Sequence, residues 1–125
     1  MLGNNNIYVA LPVQDLERAM RFYGDTLGLT VVDQNENGVW YQIGQGRVAL
    51  FVSEFAGTNR STAAIWEVAN PEQMVEQLQA RGVKFAEYDN MPDVKRTGKI
   101  HHFGTFIAAW FTDPDGNIIC ISHHL

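Results

Sequence analysis

Residues 110–121 read Trp110-Phe111-Thr112-Asp113-Pro114-Asp115-Gly116-Asn117-Ile118-Ile119-Cys120-Ile121, the pattern of a strand, a tight turn and a second strand. The two ends are rich in aromatic and β-branched residues, which favour strands. Pro114 fixes φ for the first turn position, and Gly116 can adopt a positive φ. The short side chains of Asp113 and Asn117 are expected to satisfy backbone groups of the turn. The stretch therefore predicts a β-hairpin near the C-terminus.

Length and composition indicate one globular domain. The chain has 125 residues, of which 46% are hydrophobic, enough for a buried core. The net charge is -5 and the nine Lys and Arg are scattered, so no nucleic-acid-binding surface is expected. Cys120 is the single cysteine, which excludes a disulfide framework and a thiolate zinc cluster. No apolar run approaches the ~20 residues of a membrane span, so a cytoplasmic protein without membrane contact is expected.

The first half of the chain predicts a strand, a helix and three further strands. The strand covers residues 7–11 and is expected to end at Pro12. Asp15 is a suitable N-cap for the helix, and Gly28 stands where a C-cap glycine belongs. The three later strands are predicted at residues 29–33, 39–43 and 47–53.

The second half repeats this order after a polar linker at residues 55–61. A strand is predicted at residues 62–68, followed by a helix that starts at Asn70-Pro71. A strand at residues 83–88, a long polar loop at residues 89–104 and the closing hairpin complete the half. The chain is therefore predicted to consist of two βαβββ half-modules in one domain, residues 1–125. The half-modules cover approximately residues 7–54 and 62–122.

The duplicated order resembles the vicinal oxygen chelate superfamily, which includes glyoxalase I, bleomycin-resistance proteins, extradiol dioxygenases and fosfomycin-resistance enzymes. An aromatic residue followed by Asp-Pro-Asp-Gly-Asn is similar to the closing hairpin of that superfamily. The stretches at residues 9–19, 27–29 and 79–83 are similar to it as well. The resemblance implies an α+β fold in which mixed sheets curl around a shared cavity. It also implies a homodimer, which would cover the edge strands.

Enzymes of this superfamily usually hold a divalent metal with four side chains. The resemblance places these positions at Tyr8, Ala49, Ala63 and Cys120. Alanine cannot coordinate a metal, and Tyr with Cys does not replace the His, Glu or Gln ligands that such metals need. We therefore expect neither a metal nor a cofactor.

The histidines leave one alternative open, an unorthodox metal site that combines Cys120 with one or more of them. His101-His102 and His123-His124 are adjacent pairs, and adjacent strand residues point to opposite faces of a sheet. The first pair is expected on the long loop, which could fold over the cavity as a lid. The second pair is expected to fray at the chain end.

Strand alternation predicts the lining of the cavity, if the four matched positions point inward. The candidate ligand-binding residues are Tyr8, Trp40, Gln42, Phe51, Glu67, Phe106, Trp110 and Cys120. Ile65, Ile118 and Ser122 share the same predicted face. An aromatic lining with few polar groups suits a planar or apolar organic molecule held by stacking, with Gln42, Tyr8 and Glu67 as orienting contacts.

Each candidate residue also has a purely structural interpretation. Trp40, Trp110 and Phe51 could be core or dimer-contact residues rather than ligand contacts. Glu67 could be a buried base or an exposed carboxylate at a strand edge. Cys120 fits a small buried hydrophobe better than a nucleophile, because no neighbouring motif would activate its thiol.

Three functions remain consistent with the sequence. The first is a metal-independent protein, similar to the bleomycin-resistance branch, that sequesters a drug or metabolite without chemistry. The second is a lyase, isomerase or epimerase of the same fold with a non-standard metal site or none. The third is a regulatory or interaction module with a vestigial pocket. Intact fold motifs, missing metal ligands and an aromatic inner face favour the first, and no catalytic residue is predicted.

Overall fold

The computed structural model describes all 125 residues and shows an α+β protein with two mixed β-sheets. By its internal packing the chain divides into two compact units. The first unit comprises Met1–Thr58 and Pro114–Asn117, and the second comprises Asn59–Asp113 and Ile118–Leu125. Neither helix has the length and apolar character that crossing a lipid bilayer would require.

The first unit carries a four-stranded sheet. Its elements are a 3₁₀ turn at Leu2–Asn4, β1 at Val9–Val13, α1 at Leu16–Met20 continued by a π-helical turn at Arg21–Thr26, β2 at Thr30–Asn35, β3 at Gly38–Ile43 and β4 at Gly46–Val52. The strand order is β1-β4-β3-β2, with β1 and β4 parallel and the other pairs antiparallel. The prediction that Pro12 ends the first strand is wrong. Pro12 lies inside β1, an edge strand, where a missing N–H is tolerated.

The ends of the first helix follow the sequence prediction. The Asp15 carboxylate accepts a hydrogen bond from the Arg18 N–H at 3.1 Å, which confirms the N-cap. Gly28 follows the helical segment with φ 78°, a left-handed conformation that favours glycine.

Two tyrosines of the first unit, Tyr23 and Tyr41, are fully buried. The Tyr41 hydroxyl has no hydrogen-bond partner there.

The orphaned hydroxyl of Tyr41 leads to a stability prediction. Tyr41→Phe is expected to raise the free energy of unfolding by roughly 1 kcal/mol. The substitution removes a hydroxyl that loses its hydrogen bonds to water on folding and gains no hydrogen bond in the protein. Burial, and secondarily the Asp25 carboxylate, raise the pKa of Tyr41. The native state therefore loses stability as the pH rises past the ordinary range of a phenol, and the variant should lose less. Urea unfolding at pH 7 and at alkaline pH measures both effects, with Tyr8→Phe as an exposed control. A destabilised Tyr41→Phe protein would contradict the prediction.

The second unit carries a five-stranded sheet. Its elements are β5 at Thr62–Glu67, α2 at Pro71–Ala80, β6 at Lys95–Thr97, β7 at Ile100–His102, β8 at Phe106–Thr112 and β9 at Ile118–His124. The order β5-β9-β8-β7-β6 repeats that of the first sheet, with β6 added at the edge. The Asn70 side chain accepts a hydrogen bond from the Gln73 N–H at 3.0 Å, which confirms the predicted start of α2.

Two predictions for the second unit are wrong. Residues 83–88 do not form a strand, because their pairing with β8 is limited to an isolated bridge between Phe85 and Phe111 and a bond from the Ala86 N–H to the Trp110 carbonyl at 2.8 Å. The predicted loop at residues 89–104 contains the β6–β7 hairpin, turned at Gly98 with φ 61°. β7, not residues 83–88, therefore pairs with β8 in the repeat.

The closing hairpin is present, with β8 and β9 joined through Pro114–Asn117, and Gly116 has the predicted positive φ of 89°. Within the first unit, the Asn117 side-chain amide donates to the Pro12 carbonyl at 2.8 Å. The Asp115 carboxylate accepts from the Gln14 N–H at 2.9 Å and from Arg18 Nη2 at 2.8 Å. The turn residues thus bond to β1 and α1, which the sequence did not indicate.

Candidate ligand-binding site

The second unit has a cavity of about 530 Å³ on one face of its sheet. Its walls come from β5, β8 and β9. The lining residues are Thr62, Ile65, Glu67, Phe106, Trp110, Cys120, Ser122 and His124. Glu67, Phe106, Trp110 and Cys120 are four of the eight residues predicted from the sequence.

Residues paired across β5, β9 and β8 form the floor of this cavity. Trp110 is paired with Cys120, and Phe106 with His124, across β8 and β9. Ile65 is paired with Cys120 across β5 and β9. Residues opposite one another in a sheet project to the same side, so these side chains form one continuous surface.

A β-bulge changes the lining at the start of β5. The pairing of β5 with β9 shifts between Thr62 and Ala64, which inserts an extra residue. As a result Thr62 lines the cavity, whereas strict alternation had placed Ala63 there. Thr62 Oγ1 accepts a hydrogen bond from the indole Nε1–H of Trp110 at 3.1 Å, which holds the indole against β5.

Aromatic rings pack around Trp110 and fix its position. His101, Tyr88 and Phe103 meet its ring edge to face, with centroid distances of 5.1, 5.6 and 5.9 Å. Phe103 stacks in parallel on Phe106 at 4.6 Å. These contacts restrict the indole, so little conformational entropy is lost when a ligand stacks on it.

His101 is a buried support of this aromatic wall. It lies on β7 and is fully buried, so the prediction that it belongs to a lid loop is wrong. Its Nε2 accepts a hydrogen bond from the Tyr88 N–H at 2.9 Å. A neutral ring therefore carries its hydrogen on Nδ1, which has no partner. His101 positions Tyr88 and Trp110.

Glu67 stands at one end of the cavity and is open to solvent. Its side chain is 79% exposed, and the ionisable group beside it is His124, whose Nδ1 lies 4.0 Å from the carboxylate. No Lys or Arg pairs with Glu67. Of the two interpretations open from the sequence, the structure shows the exposed carboxylate at a strand edge.

Cys120 lines the cavity as a protonated thiol. The residue is 3% exposed, and burial raises the pKa of its thiol from 9.0 to about 11, with a backbone contact to Ala109 acting weakly in the opposite direction. A thiol with this pKa is a poor nucleophile near neutral pH, because the thiolate is the reactive form. The structural interpretation of Cys120 as a small buried hydrophobe fits this environment.

The raised pKa of Cys120 predicts an alkaline loss of stability. The folded state keeps the proton while the unfolded state loses it, so this contribution is complete below pH 9 and disappears as the pH rises to 11. The difference corresponds to about 2–3 kcal/mol across that window. Urea unfolding from pH 8 upward should show a shallower decline for Cys120→Ala than for the parent. Parallel pH profiles for the two proteins would contradict this prediction.

A second concavity of about 310 Å³ adjoins the first. It is lined by Arg60, Ser61, Thr62, Tyr88, Met91, Trp110 and Ile118. Thr62 and Trp110 line both concavities, which therefore meet at these two residues. We refer to the two concavities together as the β5 groove.

The remaining predicted residues belong to the first unit. Tyr8 and Gln42 line a separate cavity of about 380 Å³, where Gln42 Nε2 donates to the Gly44 carbonyl at 2.8 Å. Trp40 is half-buried on β3 and Phe51 is exposed on β4, and neither lines a cavity described above. The eight candidates thus divide equally between the two units.

The sequence prediction omitted several residues of the β5 groove. Thr62 was missed because no sequence signal marked the bulge. His124 was expected to fray, yet it lies in β9 and its ring packs on Phe106 at 5.6 Å. Arg60 lies outside the strands, so alternation does not apply to it, and Tyr88 belongs to the predicted strand at residues 83–88, which does not form.

Comparison with known proteins identifies the family. A sequence model described as "Glyoxalase/Bleomycin resistance protein/Dioxygenase superfamily" matches residues 7–121. The chain belongs to this superfamily. No sequence among curated proteins matches the chain.

Solved structures of glyoxalase-superfamily proteins share the fold. A glyoxalase family protein from Enterococcus faecalis is 17% identical with a TM-score of 0.74, covering 98% of this chain and 99% of that one. The fosfomycin resistance protein FosX from Listeria monocytogenes is 11% identical with a TM-score of 0.72, covering 98% and 94%. A lactoylglutathione lyase from Agrobacterium tumefaciens is 16% identical with a TM-score of 0.70, covering 96% and 93%. At these identities the likeness shows the fold alone.

The side chains at the usual metal positions of the glyoxalase superfamily do not fit a divalent cation here. Ala49 is buried and offers a methyl group, and the inward place expected for Ala63 is taken by Thr62. Tyr8 lines a cavity of the first unit and Cys120 lines one of the second unit, and a phenol or a thiol does not replace the His, Glu or Gln ligands of such a cation. No group of three or more His, Cys, Asp or Glu is arranged to hold a metal ion.

The histidine pairs offer no better donor set in this superfamily member. His101 Nε2 is occupied by the Tyr88 N–H. His123 lies in β9, where its Nδ1 is 3.0 Å from the Val68 carbonyl, and does not fray as expected. His124 lines the cavity beside Glu67, but two such ligands do not make a metal site.

Proposed function

We propose that this superfamily member is a metal-independent small-molecule-binding protein that holds a planar or apolar organic molecule in the β5 groove. The observation that carries the proposal is the cavity of about 530 Å³ with Trp110 and Phe106 held in its wall. This volume lies within the ~300–1,000 Å³ range of small-molecule sites, which are mostly apolar and aromatic with a few placed polar groups. Sequestration of a drug or metabolite would follow from such binding.

The groups around the groove favour binding over chemistry. A general base or nucleophile must be exposed to the substrate in its reactive form. His101 is buried with Nε2 engaged, and the Cys120 thiol is protonated. Glu67 is a solvated carboxylate without a hydrogen-bonded partner that would orient a proton transfer. Stacking on Trp110 and apolar contact with Ile65 need none of these groups.

Equilibrium dialysis against a panel of planar antibiotics and aromatic metabolites tests the proposal. At least one compound should bind with a micromolar or lower dissociation constant and should raise the melting temperature of the protein. Binding should also change the tryptophan fluorescence of the parent protein. This ligand-induced change should be absent in Trp110→Phe. A broad panel without any binder would contradict the proposal.

A second candidate function is a lyase or isomerase-type enzyme with a non-standard metal site or none. Two structurally similar proteins are a fosfomycin resistance protein and a lactoylglutathione lyase. The test is incubation of the protein with fosfomycin, or with methylglyoxal and glutathione, from which lactoylglutathione would form, each with and without added Mn²⁺, Ni²⁺ or Zn²⁺. Our proposal expects no turnover above the protein-free control, and turnover that depends on the protein would favour the enzyme.

We also propose that the chain forms a homodimer. β2 is an edge strand whose residues are all exposed, including Val31 and Val32, and Phe51 is exposed on the same sheet. Exposed apolar edges are usually covered by a partner. Sedimentation equilibrium at micromolar concentration should give twice the chain mass, and Val32→Lys should shift the equilibrium toward the monomer. A monomer at all concentrations would contradict this prediction.

A further inference from the structure

The two ends of the β5 groove carry opposite charges, Glu67 at one end and Arg60 at the other. They are the only Asp, Glu, Lys or Arg residues that line the two concavities. Resting on the proposed binding function, we propose that the groove selects elongated aromatic molecules with a cationic group at one end and an anionic group at the other.

At the Glu67 end, a carboxylate adjoins aromatic surface. The Glu67 carboxylate has no Lys or Arg partner, and Phe106 lines the same concavity. A ligand ammonium can contact this carboxylate while it lies against a ring face, and both interactions favour a cation. His124 is the competing group, 4.0 Å from the carboxylate, and it competes only when protonated.

At the Arg60 end, a guanidinium stands beside hydroxyl groups. Arg60 is exposed and forms no ion pair or hydrogen bond within the protein. Ser61 and Thr62 follow it directly and line the same concavity. A free guanidinium pairs with a carboxylate or phosphate in bidentate geometry, and neighbouring hydroxyls can donate to the same anion.

The span of β5 sets the approximate length of a ligand that lies along the groove. Thr62 and Glu67 are the first and last residues of β5, five residues apart, which corresponds to roughly 17 Å along a strand. Trp110 and Ile65 supply apolar surface between them. A molecule with an aromatic middle and charged ends satisfies both ends at once, whereas a singly charged molecule satisfies one.

A matched set of biphenyl compounds tests this inference. The neutral parent is 4-phenylbenzyl alcohol, the cation is 4-phenylbenzylamine, the anion is 4-phenylbenzoate, and the zwitterion is 4'-(aminomethyl)biphenyl-4-carboxylate. Each is titrated into the full chain by equilibrium dialysis at pH 8, above the range in which histidines usually carry charge. The variants are Glu67→Gln and Arg60→Gln, with Glu76→Gln and Lys84→Gln as exposed controls that do not line the groove.

The zwitterion is expected to bind roughly tenfold more tightly than the neutral parent, since each solvated ion pair contributes up to about fivefold. Glu67→Gln should weaken the amine and the zwitterion roughly three- to fivefold and leave the benzoate unchanged. Arg60→Gln should weaken the benzoate and the zwitterion by a similar factor and leave the amine unchanged. The control variants should match the parent protein.

The outcomes separate this inference from the proposed function. If all four compounds bind equally and neither groove variant discriminates among them, the groove binds aromatic molecules but the charge selectivity is overturned. If only one end responds, the requirement for two charges is overturned. If none of the four binds, the proposed function fails for this class of compound, and the selectivity fails with it.

Discussion

Replacing Asp115 with alanine is expected to lower the free energy of unfolding by about 2–3 kcal/mol, because it removes a buried acceptor of two hydrogen bonds. The Asp115 side chain is 1% exposed, although it belongs to a hairpin turn. Its carboxylate accepts from the Gln14 N–H and from Arg18 Nη2. The substitution leaves both donors without this acceptor, and the Arg18 side chain, 42% exposed, recovers only part of the loss from water.

Urea unfolding followed by circular dichroism measures this effect. Asp115→Asn keeps one carbonyl oxygen and should fall between the parent and Asp115→Ala. Glu76→Ala removes an exposed carboxylate from α2 and should change stability by less than about 0.5 kcal/mol. A change of that small size for Asp115→Ala would show that the two hydrogen bonds do not stabilise the turn.

Replacing Trp110 with alanine is expected to weaken binding of 4-phenylbenzyl alcohol at least tenfold. Trp110 lines both concavities of the β5 groove, so its loss removes the stacking surface shared by them. Loss of an aromatic stacking partner together with its buried apolar area costs about 1.4 kcal/mol or more, which is a factor of ten in affinity. The neutral alcohol is used because it carries no charge that could form an ion pair with Glu67 or Arg60.

Equilibrium dialysis measures the affinity for the Trp110 variants. Trp110→Phe keeps a ring and should lose less affinity than Trp110→Ala. Trp66→Phe is the matched control, because Trp66 lies on β5 but does not line the groove. Circular dichroism of each variant distinguishes loss of binding from loss of fold. Parent-like affinity in a folded Trp110→Ala protein would place the binding site elsewhere.

The fold was predictable where local signals and hydrophobic pattern agree. The caps at Asp15 and Asn70 and the closing hairpin were correct because each depends on residues close in sequence. The strand at residues 83–88 was wrong because a strand exists only where a partner strand is available, and β7 pairs with β8 instead. The short β6–β7 hairpin was missed because its polar residues are typical of a loop.

The groove was predictable in part from the alternation of strand side chains. Glu67, Phe106, Trp110 and Cys120 were placed together because they follow the period of two in regular strands. Alternation fails at Thr62, where the bulge shifts the register. The long-range bonds of the Asp115 turn and the ring contacts of Trp110 depend on tertiary packing, which no local pattern encodes.

The central claim, that the protein binds a small molecule without a metal, is tested most directly by one affinity comparison. The tightest-binding compound of the panel is dialysed against untagged protein before and after removal of metals with EDTA. We predict the same dissociation constant for both preparations. Loss of binding after EDTA, restored by Ni²⁺, Zn²⁺, Fe²⁺ or Mn²⁺, would contradict the claim.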